Sequence, residues 1–305
     1  MNGIINVYKE KGFTSHDVVA KLRGILHMKK IGHTGTLDPD AVGVLPVCIG
    51  KGTKLCGMIT DWGKTYETVM LLGTVTDTLD ISGNIIKSSE VNVTELEIMD
   101  VCESFVGEYE QVPPMYSAIK VGGKKLYELA REGKEIERKP RKVKIDSIRI
   151  NDIDLDGKVK TVTMTVDCSK GTYIRSLCDD IGRKLGCGAC MKELKRTRVG
   201  DFFIDDTLTL NQIAASVLKG EIGNFVKPVD EVFCEYPKAY SKKAFDILLH
   251  NGGKLEIGSL ENCDFENVSE IEKIRLYDSL GVFTGIYRYE DGLLIPEKMF
   301  YESDN

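Results

Sequence analysis

The 305-residue chain predicts an α+β fold, a mixed and mainly antiparallel sheet with flanking helices, followed by a small C-terminal β domain. Three observations carry this expectation. Residues 143–153 and 159–168 form two consecutive strand-like runs, and in the second Val162, Met164, Val166 and Cys168 alternate with Thr and Asp. Period-two alternation marks a strand with one buried face. Asp156-Gly157 between the runs is a hairpin signal. Helical patterns are interspersed among these long antiparallel-looking strands, which points away from a doubly wound parallel sheet. Composition then shifts near residues 228–237, and shorter strand-like runs follow.

Taken in order, residues 4–8 read as a short buried strand. Thr14 or Ser15 can cap a helix whose apolar face is Val18, Val19, Leu22, Ile25 and Leu26, at 3.6-residue spacing. Residues 44–49 and 66–72 are further strand candidates, the latter rich in Thr, Val and Leu. Residues 94–105 predict a helix with Thr94 as its cap and Leu96, Ile98, Val101, Cys102 and Phe105 on its apolar side. Residues 125–131 predict a short helix closed by Gly133. Residues 173–185 return to helix. Beyond the composition shift, residues 241–249 predict a short helix with Phe245, Leu248 and Leu249 on one face. Residues 273–277, 282–289 and 292–295 predict strands. The expected division is residues 1–230 and residues 231–305.

Composition narrows the class. Hydrophobic residues make up 42% of the chain, ordinary for a soluble globular protein. No apolar run approaches the ~20 residues of a membrane span. The N-terminal residues lack the basic segment and long apolar core of a signal peptide. Nine scattered cysteines, an odd number, predict reduced thiols and a cytoplasmic location. The net charge of −6 is unhelpful for binding a polyanion, but it is unevenly spread. Residues 231–305 hold 8 Lys and Arg against 15 Asp and Glu, whereas residues 120–144 hold ten basic against four acidic residues. Such a stripe can steer a polyanion toward an acidic protein, and Lys124, Lys125, Arg141 and Lys142 are its candidate contacts with a nucleic-acid backbone. A solvated charged face is the plainer reading of any such run, although Pro140 and the glycines at 122, 123 and 133 exclude one long helix.

The most informative stretch is residues 32–43, GHTGTLDPDAVG. Pro39 fixes its own φ and biases Asp38 toward an extended conformation. Gly32, Gly35 and Gly43 permit sharp turns and close approach. A carboxylate held in a rigid polar loop can serve as nucleophile, general base or metal ligand. Asp before Pro is also a common turn former.

This loop, continued through VLPVCIG, resembles the catalytic signature of the bacterial-type TruB family of tRNA pseudouridine synthases. Further blocks follow the family in order: KGFTS at 11–15, Tyr66 with LGTVTDTLDISG at 72–83, VPPMYSAIKVGGKKLYELAREG at 112–133, and CSKGTYIR at 168–175. Residues 277–300 resemble the PUA domain, a small RNA-binding β module. One departure is visible, because the family usually has Lys-Pro where this chain has Lys9-Glu10.

The resemblance implies a pseudouridine-synthase sheet over residues 1–230 and a PUA-like domain over 231–305. It implies isomerisation of uridine 55 in the tRNA T loop, with Asp38 as nucleophile and Arg175 as its cationic partner. Tyr66 would stack on the flipped base and take part in proton transfer at C5. Tyr173 and Leu194 would line the base site, Asp80 would be a supporting polar residue, and His33 would touch RNA. The isomerisation adds and removes nothing, so no cofactor or metal is required. The central block resembles that of stand-alone enzymes, so no obligatory protein partner is expected and the chain is expected to act as a monomer.

Other chemistries find less support. Cys187 and Cys190 form a CxxC without a second pair at zinc spacing. Asp38 and Asp40 could hold Mg²⁺ in a phosphotransferase, but no phosphate-binding loop accompanies them. A tRNA-folding protein whose main role is non-catalytic, or a relative dependent on guide RNA and partner proteins, would share much of the pattern.

Overall fold

The computed structural model describes residues 1–263 and 271–301. The chain begins with β1 (Gly3–Lys9), an apolar strand buried along nearly its whole length. Helix α1 (Ser15–Leu26) follows, and Thr14 is its cap: the Thr14 hydroxyl accepts from Asp17 N while the Asp17 carboxylate accepts from Thr14 N. This reciprocal box satisfies two amide donors that a helix start otherwise leaves bare. Val18, Val19, Leu22 and Leu26 are buried as the spacing predicts. Then come β2 (Ile31–His33), β3 (Val42–Ile49), a 3₁₀ turn, α2 (Cys56–Thr60) and β4 (Lys64–Leu72).

The hairpin β5 (Thr74–Thr76) and β6 (Ile85–Ser88) precedes α3 (Glu95–Glu103), which Thr94 caps by the same reciprocal box. Here the expected helix differs at both faces. Leu96 is exposed, because it lies two residues, or 200°, from buried Ile98. Phe105 falls beyond the helix end and sets its ring edge-on to Tyr109. Strand β7 (Gly107–Gln111), the small hairpin β8 (Lys120–Val121) and β9 (Lys124–Lys125), and α4 (Leu126–Arg131) lead into β10 (Arg141–Asp154) and β11 (Thr161–Cys168). The connection between the last two is not a two-residue turn at Asp156-Gly157. The Asp154 carboxylate accepts from the amides of Asp156 and Gly157, folding a longer loop around itself.

Helix α5 (Ile174–Lys184) is followed by β12 (Ala189–Val199), β13 (Phe202–Phe203), α6 (Leu210–Leu218) and β14 (Val226–Lys227). The main sheet has the order β14-β1-β3-β12-β4-β11-β10-β7, with β2 added to β3 and β13 to β12. Every pairing is antiparallel except β12–β3, a short parallel contact of Lys195 with Val42 and Arg196 with Gly43. Its closeness requires Gly43, since a Cβ there would stand 2.2 Å from the Arg196 carbonyl oxygen. One face of the long antiparallel half carries Tyr66, Met70, Val162, Met164 and Val166 against α5 and α3. The other carries polar pairs such as Glu67–Lys195 and Asp167–Arg198.

A second sheet of six strands comprises β15 (Lys238–Ser241), β16 (Leu255–Glu256), β17 (Leu260–Cys263), β18 (Lys273–Tyr277), β19 (Phe283–Glu290) and β20 (Leu293–Met299). Its order is β16-β20-β19-β18-β15-β17. The helix expected at 241–249 is a 3₁₀ turn running into α7 (Asp246–His250). No helix among the described residues is long and apolar enough to cross a membrane.

The two sheets share a core. Ile286 and Phe300 from the second sheet's region are buried with Ile4, Val44, Leu55, Ile59 and Phe202 from the first. Lys54 Nζ donates to Met299 O across the junction at 3.2 Å. Ile286→Ala and Phe300→Ala should therefore each lower stability by about 3 kcal/mol, through the lost contacts and the cavity left behind. Urea unfolding followed by circular dichroism measures this, and unmoved midpoints would mean that the sheets are independent.

Candidate active site

Asp38 sits in the segment between β2 and β3, and its position is fixed from outside the loop. Leu37 N donates to the buried Ser15 hydroxyl at 2.9 Å, and Gly12 N donates to Pro39 O at 2.9 Å. Lys9, fully buried at the end of β1, donates from Nζ to Pro39 O at 3.0 Å and to Ala41 O. Thr34 bonds Pro46 O through both its amide and its hydroxyl. Leu37 and Ala41 then enter the apolar core that contains Tyr66. Gly and Pro predicted rigidity here, but tertiary hydrogen bonds from the KGFTS block and from Lys9 supply it. Burial pulls the Lys9 ammonium down to about 8.

Arg175 comes from the first turn of α5 and is buried, with 5% of its side chain exposed. Its Nε lies 3.0 Å from Asp38 Oδ2 and its Nη2 donates to Asp38 Oδ1 at 3.1 Å, a two-pronged match of guanidinium to carboxylate. The remaining N–H groups donate to Thr78 O at 3.2 Å and Tyr116 O at 2.9 Å. Asp80 Oδ2 stands 3.8 Å from Nη1. Asp80 is itself fixed, since its Oδ1 accepts from the Thr78 hydroxyl and from the amide and hydroxyl of Ser82.

Burial pushes the Asp38 carboxyl above its ordinary value, Arg175 and Lys9 pull it back, and Asp80 pushes it further up. About a third of the Asp38 side chain remains exposed, so the carboxylate is reachable from outside. Arg175 thus opposes the burial that favours the neutral acid.

Tyr66 lies on β4 between Val166 of β11 and Arg196 of β12, buried on the same core face. Leu194 sits opposite Thr68 two pairs further along and is half-buried. Tyr173 is the cap residue of α5. Its amide donates to Gln111 Oε1 at 2.8 Å and its carbonyl accepts from Gln111 Nε2 at 3.0 Å. His33, at the end of β2, is half-buried and accepts from Gly35 N at Nδ1, while burial lowers its imidazole. Asp38, Arg175, Asp80 and Tyr66 are thus gathered in one place, with Leu194, Tyr173 and His33 on the elements around it.

The four basic candidates differ. Lys124 is tied to Glu132 at 2.9 Å and Lys125 Nζ contacts the Tyr127 hydroxyl, whereas Arg141 and Lys142 open β10 as exposed residues. Sequence reasoning missed Lys9, Gln111 and Arg196. Each bonds main-chain atoms or neighbouring side chains in the fold, and only the presence of Lys9 at the end of an otherwise apolar run hinted at burial. Among the described residues, no group of three or more His, Cys, Asp or Glu side chains is gathered as a metal-ligand set.

A mainly antiparallel sheet of this order, holding an aspartate–arginine pair beside a buried tyrosine, defines a pseudouridylate synthase. The chain belongs to the TruB family of these enzymes. The model of the TruB family pseudouridylate synthase N-terminal domain matches residues 23–174, and that of the tRNA pseudouridylate synthase B C-terminal domain matches residues 175–233. The chain is 53% identical to a tRNA pseudouridine synthase B of Lachnoclostridium phytofermentans, over 98% of this chain and 100% of that one. It is 46% identical to the tRNA pseudouridine synthase B of Clostridium novyi, over 97% and 99% of the two chains. A chain of a solved Cbf5-Nop10-Gar1 complex superposes with a TM-score of 0.72 at 27% identity, covering 99% of this chain and 86% of that one.

Arg175→Met removes the cation that opposes the upward push on Asp38. The carboxyl should then ionise only at higher pH, so the acid limb of the pH–rate profile should move upward. Turnover at neutral pH should fall by about two orders of magnitude or more. A profile of unchanged shape would show that the two groups do not act together.

Proposed function

We propose that this chain isomerises uridine 55 in the T loop of tRNA to pseudouridine, with Asp38 as the nucleophile. The observation that carries the reading is the two-pronged Arg175–Asp38 pair, buried on the arginine side and reachable on the aspartate side. The reaction breaks the bond between ribose C1′ and uracil N1, turns the freed uracil, and joins C5 to C1′. A carboxylate suits this because it can hold one fragment as an ester and then release it. The target base must leave its stack to be reached. Tyr66 would stack on the extruded ring and handle the C5 proton, with Leu194 and Tyr173 bounding the base. Asp80 would hold Arg175 from behind, and His33, kept neutral by burial, would contact RNA without exchanging protons.

The chain would need no cofactor, act as a monomer without a partner protein, and work in the cytoplasm. Residues 231–305 would form a PUA-like unit that adds register on the RNA, since their net charge of −7 opposes phosphate attraction.

Purified protein incubated with an unmodified tRNA transcript, followed by mapping of pseudouridine, tests the assignment. Asp38→Asn should make no product while binding tRNA within a few-fold of the parent, because an amide keeps the shape but is a poor nucleophile. Turnover by a homogeneous Asp38→Asn preparation would remove Asp38 from the mechanism.

Arg141 and Lys142 changed together to Ala should flatten the dependence of log K on log salt by about 1.5, the effect of two lost phosphate contacts. Lys124→Ala should change the slope less, since Glu132 already neutralises it. Equal slopes for all variants would place the phosphate contacts elsewhere.

A further inference from the structure

Arg196, on β12, is 1% exposed and among the largest fully buried side chains of the protein. Its Nε donates to Val44 O at 2.8 Å, which fixes the side chain across the parallel junction of the sheet. Nη1 points toward the Asp38 loop, 3.7 Å from where a Cβ on Gly35 would stand. Nη2 has no hydrogen-bond partner among the described residues. No carboxylate of those residues lies within ion-pairing distance of it. The charged groups that do face it include Lys9 from β1 and Lys64 from β4, both buried cations.

This arrangement is expensive. An arginine stays charged in any protein environment, and a buried charge without a counter-ion is strongly unfavourable. Bracing β3 against β12 accounts for the Nε bond to Val44 but not for the charge, since a neutral amide could donate the same bond. The charge faces Tyr66. Arg196 and Tyr66 are direct cross-strand partners, so both side chains leave the same face of the sheet. A bulge at Thr197, where the register shifts between Arg196 and Arg198, keeps Arg196 on that face while Arg198 pairs beyond it.

We propose that Arg196 is a positioning residue for the isomerisation, its guanidinium orienting the Tyr66 phenol and stabilising its phenolate while Tyr66 exchanges protons with the uracil. This rests on the assignment of proton transfer to Tyr66 above. In the reaction N1 gains one proton and C5 loses one. The phenol gives its proton to N1 and stands as phenolate. As C5 bonds to C1′ the C5–C6 double-bond pair makes that bond and the N1 lone pair closes C6=N1. The phenolate then takes the C5 proton, the C–H pair re-forms C5=C6, and the C6=N1 pair returns to N1. Tyr66 ends as it began. The groups facing the phenol are Arg196 from β12, Cys168 from β11 and Asp38 from its loop. Burial, Cys168 and Asp38 all push the phenol up, and Arg196 pulls it down.

The test uses full-length protein labelled with 3-fluorotyrosine, the fluorine resonance of residue 66 being identified by its loss in Tyr66→Phe. Arg196→Met should raise the titration midpoint of that resonance by about one pH unit or more. It should also slow single-turnover conversion of a tRNA transcript by about 100-fold, with tRNA affinity within a few-fold of the parent. Arg196→Lys, which keeps the charge on a shorter reach, should recover most of the midpoint and part of the rate. An unmoved midpoint in folded Arg196→Met overturns the proposal, as does full activity. Should Arg196→Met fail to fold, Arg196→Lys decides by the same pair of measurements, and parental rate with an unmoved midpoint overturns the proposal. If Tyr66→Phe proves as active as the parent, the assignment of Tyr66 itself has failed. If Tyr66→Phe is inactive and the Arg196 variants are normal, only the role of Arg196 has failed.

Discussion

One guanidinium holds the site together. Arg175 reaches from the start of α5 to the Asp38 carboxylate, to the carbonyls of Thr78 and Tyr116, and toward Asp80. Those groups come from three separate connecting segments, none of which has a regular secondary structure to fix it. The helix that carries Arg175 is held in turn at the same end. Gln111 brackets the main chain of Tyr173 with both atoms of its amide, and the Ser176 hydroxyl donates to Val112 O. Five donors in a rigid plane make arginine suited to this, and a lysine could not satisfy the same set of acceptors.

Beneath this pair the interior is unusual for its cations. Lys9, Lys64 and Arg196 are all buried, and all donate to main-chain carbonyls rather than to carboxylates: Pro39 and Ala41, Thr60 and Trp62, and Val44. Carbonyl dipoles solvate an ammonium without cancelling its charge. The outcome is a positive interior, and from it Lys9 joins Arg175 in opposing the burial that raises the Asp38 carboxyl.

Much of the frame was legible because local chemistry and tertiary structure agree there. Thr14 and Thr94 each stand three residues before an acid that completes a reciprocal cap, and the strands around Ile4, Val44 and Val162 are apolar on the faces they bury. Strand β12 was not legible. Its segment KELKRTR carries no clean alternation, because one face pairs Lys195 with Glu67 and Arg198 with Asp167, and bulges at Lys192 and Thr197 interrupt the period of two. The basic stripe was legible as charge but not as geometry, since Glu132 and Glu135 bond Lys124, Lys134 and Arg138 and leave Arg141 and Lys142 as its open end. Asp38, Tyr66 and Arg175 were identified by their surrounding motifs. Lys9, Gln111 and Arg196 act through contacts distant in sequence, which no local pattern reports.

The short parallel contact of β12 with β3 has a consequence for how the chain acquires this structure. It joins residues about 150 positions apart, and β1 likewise waits for β14 more than 200 residues later. Closing such long loops is slow. During synthesis the Asp38 loop emerges early, but Arg175 and Arg196 arrive only after more than half the chain has been made. Until then β3 and β4 present open edges, and nascent strands with open edges are prone to pair with other chains. The site therefore cannot form until Arg196 has been made, and until then the nascent chain passes through a long interval in which aggregation competes with folding.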